Sequence, residues 1–442
     1  MALERIEKLN GELNAVVRLR GEQALEEAAA LDERVAGGED PGPLVGVPFL
    51  VKDLEDLTGL PTTSGSQLFA DAAPAARDGA VPQRLRAAGA VPVGKSNTPE
   101  FACEGFTANL LFGVTRNPWA PEWSPGGSSG GSGAAIAAGM VPIATATDTG
   151  GSIRIPAAFC GLAGIKPTNG TVSRDLALAW PDLTTCGPLG ATVDDVRLLL
   201  SVEADPIPGD PSVRPARRPG PRGLPARVLA APRFTPWGPL PEAVEGAFDD
   251  ALVAMERSLG LPVEPIEPDA IFRAGNPDED WFLLAGPELV TWVGRDTVES
   301  SMDLLHPSTR EFLEAGLRVT LDDYLAARQR RLEYTRELDE LLGDDGVIAT
   351  PTLASAGWLA DGRMPGAEEP GVPAEVYNCA VQNVTGHPAI SVPAGRFDTG
   401  VPFGMQFTGP RFRDDLLLDL AEAWERAHPW PPTAPGFGPF EV

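Results

Sequence analysis

Histidine and lysine are nearly missing from this 442-residue chain, which holds three histidines (His306, His387, His428) and four lysines (Lys8, Lys52, Lys95, Lys166). The histidines are far apart and lack metal-ligand spacing, leaving few candidates for a zinc site or a histidine-based triad. Cysteine is equally scarce. Cys103, Cys160, Cys186 and Cys379 form no CxxC pair and sit among small or apolar residues. A disulfide framework is therefore not expected, and reduced thiols fit a cytoplasmic protein. Positive charge is also short: 35 Lys plus Arg against 62 Asp plus Glu gives a net charge of −27. That excludes the basic footprint a nucleic-acid binder needs and disfavours docking on an anionic membrane. No uncharged apolar run reaches the ~18 residues of a membrane span. The N-terminal MALERIEKLNGELNAVV has no apolar core of a signal peptide.

What is present is an ordinary core-forming composition, 43% hydrophobic and 22% charged. Residues 4–18 and 22–36 read as amphipathic helices. Further helices are expected at 81–89, 132–140, 241–258, 322–342 and 414–427. Short apolar runs at 44–52, 90–94, 347–353, 389–395 and 403–409 read as buried strands. This alternation predicts a single α/β domain over 1–442. The Pro- and Arg-rich stretch 203–227 reads as a surface connection within it.

Two motifs mislead. GAVPVGKS (89–96) satisfies the phosphate-loop pattern, but its interior residues are strand formers with a proline, and Asn97-Thr98-Pro99 follows where a helix should begin. GGSSG (126–130) matches a nucleophile elbow, yet Trp123-Ser124-Pro125 is poor strand material and no histidine has supporting context.

The informative segments are GGSSGGS (126–132) and DTGGSIRIP (148–156), both embedded between apolar stretches. Glycines pressed into a core let backbone approach something closely, and consecutive glycines before a serine can align N–H groups as an oxyanion hole requires. Lys52 ends an apolar strand, where desolvation would lower its pKa and make it a competent base for a serine hydroxyl. The alternative is a plain ion pair with Asp53 or Glu55.

The stretch PGGSSGGSGAAIAAGMVPIATATDTGGSIRIPAAFCGLAGIKPT (125–168) resembles the amidase signature family. So do GVPFLVKD (46–53), GLPTTSGS (59–66), GAVPVGKSNTPEFA (89–102), TRNPW (115–119), CGPLGATVDD (186–195) and NVTGHPAISVPAG (383–395). The resemblance covers about three quarters of the chain and is weakest over 203–345. It implies a central mixed, twisted sheet covered by helices on both faces. The expected layout is a catalytic core at 45–200, a variable substrate-side region at 228–375 and a return to the core sheet at 376–430. It also implies a Ser–cis-Ser–Lys triad with Ser152 as nucleophile, Ser128 as bridging serine and Lys52 as base. The backbone of Thr149, Gly150, Gly151 and Ser152 would form the oxyanion hole, with Ser129, Asp148 and Arg154 as braces. No metal or organic cofactor is implied. The expected partner is a small-molecule amide, and a homodimer is the candidate assembly.

Some members of the family are glutamine-hydrolysing subunits of tRNA-dependent amidotransferases. These carry Asn-Met-Asp-Glu-Phe where this chain has Asn97-Thr98-Pro99-Glu100-Phe101. The difference favours the stand-alone aryl- or alkyl-amide hydrolases, and the alternative is a glutamine-hydrolysing subunit. Ala146 stands where many members have glycine. The chain also starts without the helical segment that usually precedes ALERIEKLNGELNAVV, which bears on N-terminal packing and dimer contacts. Substrate choice is expected in 270–320 and 354–375. There Trp281, Phe282 and Trp358, with Phe272 and Trp292, are candidates for an apolar acyl or aryl pocket, the alternative being ordinary core aromatics. A neutral, apolar-leaning amide is expected, with ester or carbamate hydrolysis as side activity.

Overall fold

Short apolar runs bounded by glycine and proline form the strands that organise the molecule. The structure, a computed structural model, describes residues 1–174, 179–204, 210, 212–213, 223–368 and 378–440. Most of the 203–227 connection and residues 369–375 of the substrate-side stretch lie outside the described residues.

The principal sheet has 11 strands in the order Val16–Leu19, Val91–Ser96, Pro48–Lys52, Ile143–Ala144, Leu189–Gly190, Ala163–Lys166, Ala389–Arg396, Pro402–Thr408, Gly346–Pro351, Arg227–Ala230, Val263–Pro265. Pro48–Lys52 runs parallel to both of its neighbours, whereas the central strands pair antiparallel, so the sheet is mixed. Helices flank it, and the central strands are buried, as their near-continuous apolar sequences require. The phosphate-loop lookalike is the strand Val91–Ser96, and Lys95 at its end is buried in an ion pair with Asp53 at 3.0 Å.

One expected element is wrong in kind. The helix read over 4–18 ends at Leu13, because Asn14 adopts a left-handed conformation (φ 51°) and caps it. Asn10 then hydrogen-bonds the backbone of Val16 through both its Oδ1 and its Nδ2, and Val16–Leu19 pairs with Val91–Ser96. The β-branched Val16-Val17 pair suits this edge strand.

The small-residue helix Gly130–Ala137 is buried at every position. A Cβ at Gly131 would stand 2.5 Å from the Asn97 carbonyl oxygen and 2.7 Å from the Ala15 carbonyl oxygen, so only glycine fits there. This close approach seats the start of the helix against the chain leaving Val91–Ser96, and the Gly131 N–H donates to the Asn97 carbonyl at 3.2 Å.

Candidate active site

The site is assembled at the C-terminal end of the buried strand Pro48–Lys52. Lys52 is fully buried, and its Nζ lies 2.7 Å from Ser128 Oγ, 3.0 Å from Ser129 Oγ and 2.9 Å from Thr147 Oγ1. Burial pushes the ammonium down from 10.5 to about 7, while the Glu55 and Asp148 carboxylates limit the fall. The lysine is thus held by hydroxyls; of the two carboxylates that the sequence left open as ion-pair partners, Asp53 pairs with Lys95, and Glu55 acts on Lys52 by charge while accepting from Thr145 Oγ1. Its backbone N–H donates to Thr145 Oγ1 at 2.9 Å, and that hydroxyl in turn donates to the Glu55 carboxylate.

Ser128 and Ser129 precede the helix Gly130–Ala137, and the Gly127–Ser128 peptide bond is cis. The Ser128 carbonyl accepts from Thr98 Oγ1 at 3.0 Å. The Ser129 N–H donates to the Ser152 carbonyl at 3.3 Å, so the two glycine–serine loops meet here.

The second loop is fixed by one carboxylate. Asp148 accepts from the backbone N–H groups of Gly151 (2.8 Å) and Ile153 (3.2 Å), and from Arg154 Nε (2.9 Å) and Nη2 (2.8 Å). Burial alone would raise the Asp148 carboxyl, but the Arg154 charge and these bonds outweigh it and hold it at about 2. Arg154 is fully buried and also donates to Gln382 (2.8 Å), Gln406 (2.7 Å) and Asn383 (2.8 Å), so every guanidinium donor direction is used. Thr145, Thr147, Gln382, Asn383 and Gln406 were not singled out from the sequence. The alternating threonines of ATATDTGG carried a signal for two of them. Asn383 opens the NVTGHPAISVPAG segment, though nothing in it marks a partner of Arg154, and Gln382 and Gln406 lie outside any quoted motif.

One expected oxyanion donor differs in use. The Gly151 N–H is committed to Asp148, and among the described residues no acceptor takes the Gly150 or Ser152 N–H. Thr149, Gly150 and Ser152 line a cavity of about 570 Å³, and Gly151 does not. The backbone donors available to a bound oxygen are therefore those flanking Gly151.

The far wall of that cavity comes from the helices Pro277–Val293 and Pro307–Arg318. Trp281 and Phe282 line it, as expected, together with Phe312, whose ring centre is 5.2 Å from that of Phe282. Trp281 Nε1 donates to the Thr149 carbonyl at 2.7 Å, and a Cβ on Gly150 would stand 3.0 Å from its ring. The indole thus packs directly on the glycine loop. Trp358 does not belong to this wall. It is fully buried against Phe159, ring centres 5.3 Å apart, and none of the described residues in 354–368 lines the cavity. Phe272 packs on Tyr334, and Trp292 packs on Phe69 and Phe101, so these too are core contacts.

A family model described as amidase matches residues 1–418. The chain belongs to the amidase signature family. It is 35% identical to an acylamidase of Rhodococcus erythropolis over 97% of this chain and 91% of the relative. It is also 35% identical to a glutamyl-tRNA(Gln) amidotransferase subunit of Nocardia farcinica over 96% of this chain and 93% of the relative. The structure superposes on that of a bacterial aryl acylamidase of the amidase signature enzymes with a TM-score of 0.86 and 28% identity, covering 97% of this chain and 92% of the other. The chain is an amide-hydrolysing enzyme of this family. Among the described residues, no helix is long and apolar enough to cross a membrane.

Proposed function

We propose that the enzyme hydrolyses a linear carboxylic amide bearing an apolar or aryl group, through an acyl intermediate on Ser152. In this reading neutral Lys52 takes the Ser128 proton as Ser128 takes that of Ser152, and the Ser152 oxygen attacks the amide carbonyl. The oxyanion meets the free N–H groups of the glycine loop, each such donor being worth about 3–4 kcal/mol in comparable sites. The proton then passes back through Ser128 to the leaving amine, and water releases the carboxylate. The observation that carries the reading is the fully buried Lys52 amine, lowered to about 7 and 2.7 Å from Ser128 Oγ.

The relatives include both an acylamidase and glutamyl-tRNA(Gln) amidotransferase subunits. The cavity lining favours the first. Free glutamine presents an α-carboxylate, which calls for a cationic partner, and no lysine, arginine or histidine lines the cavity among the described residues. Comparing an aryl anilide, an aliphatic amide, a carbamate, a p-nitrophenyl ester and glutamine tests this. The anilide and the ester are expected to turn over fastest and glutamine slowest. Glutamine as the best substrate would overturn the assignment.

A further inference from the structure

The cavity wall carries charge of one sign. Glu104, Asp278, Glu279 and Glu311 line it beside the indoles of Trp180, Trp237 and Trp281, and no basic side chain does so among the described residues. The sequence led us to expect a neutral substrate, and four acids around an aromatic pocket do not match one. Glu279 and Glu311 are exposed, whereas Glu104 and Asp278 are half-buried, where a carboxylate is unfavourable unless a positive charge joins it. Accordingly, burial pushes Asp278 up to about 6, with Glu279 adding repulsion, and pushes Glu104 up to about 7, with Glu311 adding repulsion.

Asp278 gives the sharpest sign. Its Oδ2 accepts from Thr235 Oγ1 at 2.5 Å and Trp237 Nε1 at 3.3 Å, while its Oδ1 is closed off from solvent without a hydrogen-bond partner among the described residues, so the carboxylate bears on the cavity by its charge and not through that oxygen. Arg233 is the basic group that bears on Asp278, and its guanidinium donates to the Gly238 and Pro239 carbonyls. Indoles next to carboxylates form the setting in which an organic cation is held best, by ring quadrupoles and ionic attraction together.

We propose that the substrate carries a positively charged nitrogen, an ammonium or amidinium on an apolar or aryl amide, seated among these indoles and against Asp278 and Glu311. The inference rests on the amide-hydrolase reading for its reaction but not for its binding. Phenyltrimethylammonium and its neutral isostere tert-butylbenzene, titrated against the protein by tryptophan fluorescence at pH 8, test the binding alone. The cation is expected to bind about tenfold tighter or more. Asp278→Asn and Glu311→Gln should each lower that ratio severalfold, Glu311 being exposed enough for its variant to fold normally. The ratio should rise between pH 5 and 8 as Glu104 and Asp278 ionise, with Thr235, Trp237, Arg233 and Glu279 facing Asp278, and Ser308 and Glu311 facing Glu104. Equal affinity for the two isosteres at pH 8, or a ratio unchanged in both variants, overturns the proposal.

A matched pair of anilides whose acyl chains end in trimethylammonium or tert-butyl then separates the two claims. Turnover of both without cation preference in binding removes this proposal alone. Cation preference in binding with neither anilide turned over removes the hydrolysis reading and leaves the cation site.

Discussion

The floor and the far wall of the cavity are built on opposite principles. The floor is the loop of Thr149, Gly150 and Ser152, and behind it Lys52, Asp148 and Arg154 are buried and richly partnered, each held by three or more side-chain or backbone groups. On the wall, two helices present aromatic rings and carboxylates, and Asp278 keeps one oxygen without a partner among the described residues. A buried polar network of the first kind fixes geometry to within what proton transfer demands. A wall of the second kind gives up polar satisfaction and gains a surface that a ligand can complete. In the proposed reading, the first performs the reaction and the second chooses the substrate.

Substitutions should divide along the same line. Ser152→Ala and Lys52→Met are expected to lower kcat by about 10⁴-fold or more while leaving the fold intact, read by steady-state amine release and thermal unfolding. In the unaltered enzyme kcat should rise with pH through about 7, because only the neutral Lys52 amine can take a proton. A flat profile from pH 5.5 to 8.5 would break the base assignment. Arg154→Leu leaves Asp148 as a buried, unpaired carboxylate and should cost about 3–5 kcal/mol of stability in denaturant unfolding. A variant as stable as the parent would show that the floor is less tightly coupled than its hydrogen bonds imply. Trp281→Phe keeps the apolar wall but removes the bond to the Thr149 carbonyl. It should cost about 1 kcal/mol of stability, the worth of one lost hydrogen bond, and lower kcat about tenfold or less as Thr149 beside Gly150 loses its anchor.

The floor was readable in the sequence because its chemistry is local. The segments around Ser128 and Ser152 lie within one stretch of chain, and a lysine closing an apolar strand stands out where lysine is scarce. The braces of Arg154 were not readable, since Gln382, Asn383 and Gln406 reach it across more than two hundred residues of chain. On the wall the sequence separated position from environment poorly. Trp281 and Trp358 look alike as isolated aromatics, yet one packs on the glycine loop and the other fills the core against Phe159. Glu104, Asp278 and Glu311 were hidden among 62 acidic residues, and only the cavity shows that they face one space. The first helix overran because periodicity outweighed Asn14, whose left-handed cap turns the chain into a strand.

The central claim is that Ser152 carries the acyl group. Mixing the enzyme with a p-nitrophenyl ester, quenching in acid within the first turnovers and mapping peptide masses tests it directly. The account predicts one acyl group on the peptide holding Ser152 and none in Ser152→Ala. An acyl group on another residue, or full-rate product release by Ser152→Ala, would contradict it.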